Sequence, residues 1–163
     1  MSEPERTIYR SPIGALEIVA SAAGLAAIHF LDDAPPKGAP EPTEPVLIAA
    51  VKQLDEYFHN RRTVFDLPLD LAGTPFQQSV WRAVVEIPFG ETITYLDLAL
   101  RLGDRRALRA VGAANGKNPV PIVVPCHRVI GADGDLTGYG GGLWRKEWLL
   151  AHEGRPTQQR LFP

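Results

Sequence analysis

The chain has 163 residues, 45% hydrophobic and 22% charged, with a net charge of −2. That leaves room for one domain or two small ones around a real core and excludes a disordered chain. Its single cysteine excludes an internal disulfide and any multi-cysteine zinc site, and suits a reducing, cytoplasmic setting. The charged start, Met1 to Arg6, lacks the apolar stretch of a signal peptide, and no apolar run approaches the roughly 18 residues of a membrane helix, so a soluble protein is expected.

The charge is unevenly spread. Residues 1–73 carry 6 Lys/Arg against 11 Asp/Glu, and residues 74–163 carry 11 against 8, giving −5 and +3. Such asymmetry hints that the second half meets a polyanion, although small counts vary by chance.

Thr7–Arg10, Leu16–Val19 and Leu25–Leu31 read as an antiparallel meander. The turns between them carry Pro12, Gly14 and Gly24. His29 falls in the third strand with no cysteine partner nearby, and is expected to be an ordinary core or surface side chain. Residues 32–45 form a proline-rich, acidic loop. Pro45 then suits the first position of a helix whose Leu47, Ala50, Val51, Leu54 and Phe58 recur at helical spacing to about Asn60. Val64–Leu71 alternates, but Pro68 reduces it to an edge strand or an extended linker.

A boundary is expected near Gly73, giving an N-terminal domain over 1–72 and a C-terminal domain over 73–163. Thr74, Pro75 and Gln77 mark a helix start with a capping box, and Phe76, Val80, Val84 and Ile87 form its apolar stripe, widened by Trp81. Thr94 can cap a short helix over 95–102. After Gly103-Asp104 a second helix, about 105–115, sets Arg105, Arg106 and Arg109 among alanines and glycines. This is a helix-turn-helix pattern whose second helix suits DNA, although tight packing on a neighbouring helix would use the same small residues.

Pro119–Val124 reads as an apolar strand delivering Cys126, His127 and Arg128 to a glycine-rich loop, 131–142. Leu143–His152 reads as a helix with Leu143, Trp144, Trp148 and Leu149 inward and Arg145, Lys146 and Glu147 outward. Glu153-Gly154 closes it, and the tail to Pro163 is polar. Cys126 could be a buried structural thiol, a Cys-His hydrolase nucleophile or a group acceptor. Adjacent side chains point apart, so a water bridging Cys126 and His127 is expected rather than direct contact, with Glu153 a candidate to orient the imidazole.

Pro125-Cys-His-Arg-Val-Ile130 resembles the active-site signature of the O6-alkylguanine-DNA alkyltransferase (methylated-DNA–protein-cysteine methyltransferase) family. So do Gly73-Thr-Pro-Phe-Gln77, Val80-Trp81, Ile87-Pro-Phe-Gly-Glu-Thr92, Tyr95, Arg109-Ala-Val-Gly112, Asn118-Pro119, Gly138-Tyr-Gly-Gly-Gly142, Lys146 and Leu149-Leu150, in order, over about 73–154. The resemblance implies a mixed α/β (α+β) fold: a small N-terminal antiparallel sheet with one helix, then a mostly helical domain with a winged helix-turn-helix. It implies repair of double-stranded DNA by stoichiometric transfer of the alkyl group of O6-alkylguanine, and of O4-alkylthymine, to Cys126, with no cofactor and no metal. His127 would activate Cys126 through water, Glu153 would orient His127, Tyr95 would protonate the leaving base, and Asn118 would brace the turn before the thiol. Arg109 would fill the gap left by a flipped base, with Arg106, Ala110, Gly112 and Thr94 as further minor-groove contacts. Val129, Tyr139, Gly140 and Lys146 would wall the base pocket. Gly140 stands where some relatives carry a larger residue, which implies room for bulkier adducts. The zinc site of some relatives cannot form here, since no cysteine precedes Cys126. A monomer is expected in solution, with cooperativity on DNA left open.

Overall fold

A computed structural model describes residues 4–32, 41–136 and 138–154. Part of the proline-rich loop (33–40), Thr137 and the tail (155–163) lie outside the described residues. The chain divides into two compact units, Met1–Ala72 and Gly73–Pro163, and its architecture is mixed α/β.

In the first unit β1 (Glu5–Ser11), β2 (Gly14–Ser21) and β3 (Gly24–Leu31) form an antiparallel sheet in the order β1-β2-β3, with Thr7 opposite Ile18 and Ile18 opposite Ile28. Helix α1 (Pro45–Phe58) begins on Pro45, as its fixed φ favours. Its Leu47, Ala50, Leu54 and Tyr57 are buried, as are Ile13, Leu16, Ile18, Leu25 and Ile28 of the sheet and its first turn. Residues 64–71 do not form the alternating strand; only Leu69 bridges Leu25, in parallel. Pro68 has no N–H to continue a ladder, but its carbonyl accepts from Leu25 N–H at 2.8 Å.

In the second unit α2 (Pro75–Val85) starts on a complete capping box. Thr74 Oγ1 accepts from Gln77 N–H, and Gln77 Oε1 accepts from Thr74 N–H. Phe76 does not join the stripe: it is 40% exposed in the first turn. Trp81 fills the interior instead, donating from its indole to the Ala114 carbonyl at 2.8 Å. Gly73 makes that packing possible, because a Cβ there would lie 2.5 Å from the indole ring.

Strand β4 (Ile93–Thr94) leads into α3 (Tyr95–Arg101), capped by Thr94 with Asp97 returning the second bond of the box. The following helix is not continuous from residue 105. Arg105–Ala107 is a 3₁₀ turn held by Asp104, and α4 runs Leu108–Gly116. The stretch 119–124 forms no strand either. Pro119 and Pro121 supply no N–H, Ile122 sits at φ 75°, and a chain reversal closes with Val124 N–H on the Val120 carbonyl at 2.9 Å. The left-handed backbone of a β-branched residue is strained, and burial of Val120, Ile122 and Val124 holds it there. Cys126–Arg128 is a 3₁₀ turn, and β5 (Val129–Ile130) pairs in parallel with β4.

Helix α5 (Leu143–His152) buries Leu149 as its sequence suggests, but its first turn is rotated from the expected face. Leu143 and Trp144 are half exposed, while Arg145 and Lys146 are buried beside Leu149 and Leu150. Both cations go inward because acceptors wait there: the Gly141 carbonyl for Arg145, at 2.9 Å, and the Val129 carbonyl for Lys146, at 2.7 Å. No helix among the described residues is long and apolar enough to cross a membrane.

Candidate active site

Three local structures place Cys126. The reversal at 119–124 aims the chain into the second unit, the 3₁₀ turn carries Cys126, His127 and Arg128, and the β4–β5 pairing fixes the exit. Asn118 ties the approach: its amide donates to the Val124 carbonyl at 2.7 Å and its oxygen accepts from Val120 N–H at 2.9 Å. It also donates toward the Cys126 sulfur. Asn115 of α4 donates to the Cys126 carbonyl at 3.3 Å, a support with no sequence signal beyond its place on the helix's inner face.

His127 is fully buried, and its Nε2 lies 2.8 Å from Glu153 Oε2. Glu153, at the C-terminal end of α5, is clamped by Arg128, with Nε on Oε1 at 2.8 Å and an Nη on Oε2 at 2.9 Å. The third arm of Arg128 donates to the Ile87 carbonyl at 2.6 Å. Burial would raise the Glu153 pKa, but the hydrogen bonds and charges of His127 and Arg128 outweigh it and hold the carboxyl well below the usual range. An ionised carboxylate only accepts, so Nε2 carries the imidazole proton. Burial lowers the His127 pKa despite Glu153, so the ring is neutral and Nδ1 holds a lone pair. Nδ1 is buried and has no hydrogen-bond partner, so the ring's basic nitrogen is uncommitted.

The Cys126 thiol is 6% exposed. Burial pushes its pKa up, and the Asn118 hydrogen bond and the Lys146 charge offset only part of this, so the resting group is a thiol. Lys146 is itself lowered to about 8 by burial, with the Cys126 charge opposing. Its ammonium lies 5.8 Å from the centre of the Tyr95 ring. Tyr139 is half-buried, and burial, then the Cys126 charge, raise its phenol well above the ordinary value. Cys126, His127, Glu153, Asn118, Lys146 and Tyr139 are thus brought together, with Tyr95 joined through Lys146. The Val129 carbonyl faces Lys146, which takes one of its two lone pairs.

A second feature adjoins Tyr95: a cleft of about 480 Å³ lined by Tyr95, Leu96, Leu108, Arg109, Gly112, Ala132 and Gly138. Cys126 is not in its lining. Arg109 and Ala110 are exposed on α4, and Gly112 is close enough that a Cβ would touch the Tyr95 ring at 3.8 Å. Arg106 is exposed and 3.5 Å from Asp104, while the Thr94 hydroxyl oxygen serves as the α3 cap. Gly140 is exposed, with open space where a side chain would stand. Among the described residues no cluster of three or more His, Cys, Asp or Glu could hold a metal ion. Arg128 is the site residue to which sequence reasoning assigned no role. Its signal was a guanidinium two residues after the thiol, in a turn otherwise flanked by apolar residues.

A buried thiol in the same turn as a carboxylate-oriented imidazole, in a unit that also carries a helix-turn-helix with exposed arginines, combines the features of thiol chemistry with those of a nucleic-acid binder. Residues 75–155 match the DNA binding domain, and residues 6–71 the ribonuclease-like domain, of 6-O-methylguanine DNA methyltransferase. The methylated-DNA–protein-cysteine methyltransferase of Mycolicibacterium paratuberculosis is 48% identical over 93% of this chain and 94% of its own. That of Methanosarcina acetivorans is 45% identical over 90% and 96%. The crystal structure of Mycobacterium tuberculosis OGT in complex with DNA superposes with a TM-score of 0.81 at 46% identity, covering 96% of this chain and 98% of that one. The chain belongs to the 6-O-methylguanine DNA methyltransferase family and is a methyltransferase enzyme.

Proposed function

We propose that the protein repairs double-stranded DNA by taking the alkyl group from O6 of guanine, or O4 of thymine, onto the sulfur of Cys126, once per molecule. The observation that carries this reading is the 3₁₀ turn that holds Cys126 next to His127, whose Nε2 is bonded to Glu153 while Nδ1 stays buried and unpartnered. In the reaction a water bridging Nδ1 and the thiol takes the sulfur proton to His127. The S–C bond forms as the C–O6 bond breaks, and the electron pair of the broken bond stays on the base. Tyr95 donates a proton to that base and is reprotonated through solvent by the proton held on His127, so the sum moves one alkyl group from oxygen to sulfur and one proton from sulfur to guanine. A thioether has no good leaving group, so the protein is consumed.

O6 lies within the duplex stack, so the nucleotide must be extruded. Arg109, exposed and on the cleft wall, replaces it from the minor groove. Ala110 and Gly112 let the α4 backbone approach a groove about 6 Å wide. Arg106 and Thr94 flank that contact. The Val129 carbonyl, Tyr139, Gly140 and Lys146 wall the base pocket. The two units, 1–72 and 73–163, act as a structural domain and a DNA-binding, acceptor domain of a cytoplasmic monomer.

The test is the intact mass of the protein after incubation with a duplex carrying one O6-methylguanine. The expected product is a single added CH2 on Cys126, absent in Cys126→Ala. Restoration of guanine with unmodified protein would overturn the proposal.

A further inference from the structure

Arg128 is not among the residues that line the cleft, yet it is 5% exposed and makes three hydrogen bonds, at 2.6, 2.8 and 2.9 Å. Two of them cover the carboxylate that His127 needs. A buried carboxylate with imidazole as its sole partner would bind a proton on that imidazole strongly, because the charged pair satisfies both groups. Such a histidine would be protonated before substrate arrived and could not act as a base. Here Glu153 is already neutralised through both oxygens, and Oε2 is shared between Arg128 and His127.

We infer that Arg128 is a positioning residue that keeps the His127–Glu153 pair unprotonated, and so ready to take the Cys126 proton, near and below neutral pH. It does this in two ways. Its charge opposes a second positive charge on the adjacent imidazole. Its forked geometry, tied to the Ile87 carbonyl two residues past α2, fixes the carboxylate plane so that Nε2 is held and Nδ1 is left open. Among the described residues the other titratable groups that act on or sense the pair are Lys146 of α5, whose cation works in the same direction as Arg128, and Tyr139, which is neutral at rest; Cys126, next to His127 in the chain, is neutral as well. Arg128 is therefore as much a part of the proton relay as Glu153, although it never meets substrate. The role rests on the alkyl-acceptor reading of Cys126.

The experiment is the single-turnover rate of Cys126 alkylation by an O6-methylguanine duplex between pH 4.5 and 9, read by quenched intact mass, for the wild type, Arg128→Gln and Arg128→Lys. In the wild type the rate should fall only well below pH 6.5, the ordinary histidine value. In Arg128→Gln the acid limb should move up by about one pH unit or more, the size of effect expected when a buried charge at hydrogen-bond range is removed. This holds whether the extra proton settles on His127 or on Glu153, since a proton on the imidazole occupies the base and one on the carboxyl removes the anion that stabilises the imidazolium. The alkaline plateau should change less than the rate at pH 6. Arg128→Lys, which keeps the charge but loses the fork, should fall between the two. A purely structural Arg128 would lower the melting temperature and leave the acid limb in place, and that result in folded Arg128→Gln would overturn the inference. If Arg128→Gln does not fold, Arg128→Lys decides by the same criterion. Failure of the wild type to gain mass on Cys126 would instead sink the acceptor reading.

Discussion

Asn118→Ala removes a side chain that satisfies two backbone groups at once, the Val120 N–H and the Val124 carbonyl, on either side of the strained Ile122. Val120 and Val124 are fully buried, so neither group gains a ready substitute from solvent. Each buried group left unpaired costs about 1–3 kcal/mol, so the pair costs about 2–6 kcal/mol. Asn118 itself is half-buried, which admits some water and favours the lower figure. For a unit of this size about 2 kcal/mol corresponds to a fall of roughly 8–16 °C in Tm. The substitution also removes the hydrogen bond that eases ionisation of Cys126, so the thiol pKa should rise further. Urea unfolding followed by tryptophan fluorescence measures the first effect, and the pH dependence of Cys126 alkylation by iodoacetamide measures the second. Unfolding within about 0.5 kcal/mol of wild type, the range typical of an ordinary surface change, together with an unmoved thiol profile, would refute the reasoning.

Four further outcomes follow from particular residues. Glu153 is held below, and His127 below, their unfolded values, so both make the folded state bind fewer protons; stability should fall as pH drops below about 6.5 for His127 and again below about 4.3 for Glu153. Glu153→Gln should be less stable than wild type at pH 7 by roughly 3–5 kcal/mol, because Arg128 is left uncompensated, and should show a flatter acid profile in urea melts at a series of pH values. Gly112→Ala places a methyl group in ordinary contact with Tyr95, so thermal stability should hold or rise by up to about 1 kcal/mol while affinity for an O6-methylguanine duplex falls; unchanged affinity by anisotropy would remove α4 from the DNA contact. Gly140→Trp fills open space at the mouth of the site and should slow repair of O6-benzylguanine more than of O6-methylguanine; equal rates for the two adducts in both proteins would refute the pocket role of that position.

The elements that were legible in the sequence are those whose signals are local. Thr74-Pro-Phe-Gln77 and Thr94 announce helix starts through side chains that bond their own first turn, and both caps form. The family resemblance reached further than periodicity, because a run of motifs fixes residues that no single pattern explains. Periodicity failed where tertiary partners decide. The α5 face was misassigned because Arg145 and Lys146 are buried for carbonyls contributed by Gly141 and Val129, one in the preceding loop and one seventeen residues back. Residues 119–124 have the composition of a strand, yet prolines remove donors and the buried side chains force a reversal at Ile122. Arg128 was passed over because its importance lies in Glu153, twenty-five residues away, and no spacing rule links them.

These same long-range partners explain how a thiol that resists ionisation can serve as a nucleophile. Two cations, Arg128 and Lys146, and one anion, Glu153, act on His127, and the Lys146 charge also reaches Cys126 and favours its thiolate. Burial nevertheless outweighs that attraction, and the thiol keeps its proton. On the alkyl-acceptor reading, a permanently ionised thiolate would be lost to small electrophiles before the DNA substrate arrived. A buried thiol that keeps its proton at rest limits that loss. Ionisation is then tied to an electrophilic carbon presented inside the site, where the forming S–C bond takes up the charge as the proton moves. On this account Lys146 lowers the cost of the transient thiolate without making it the resting state, and Arg128 keeps the base empty until that moment.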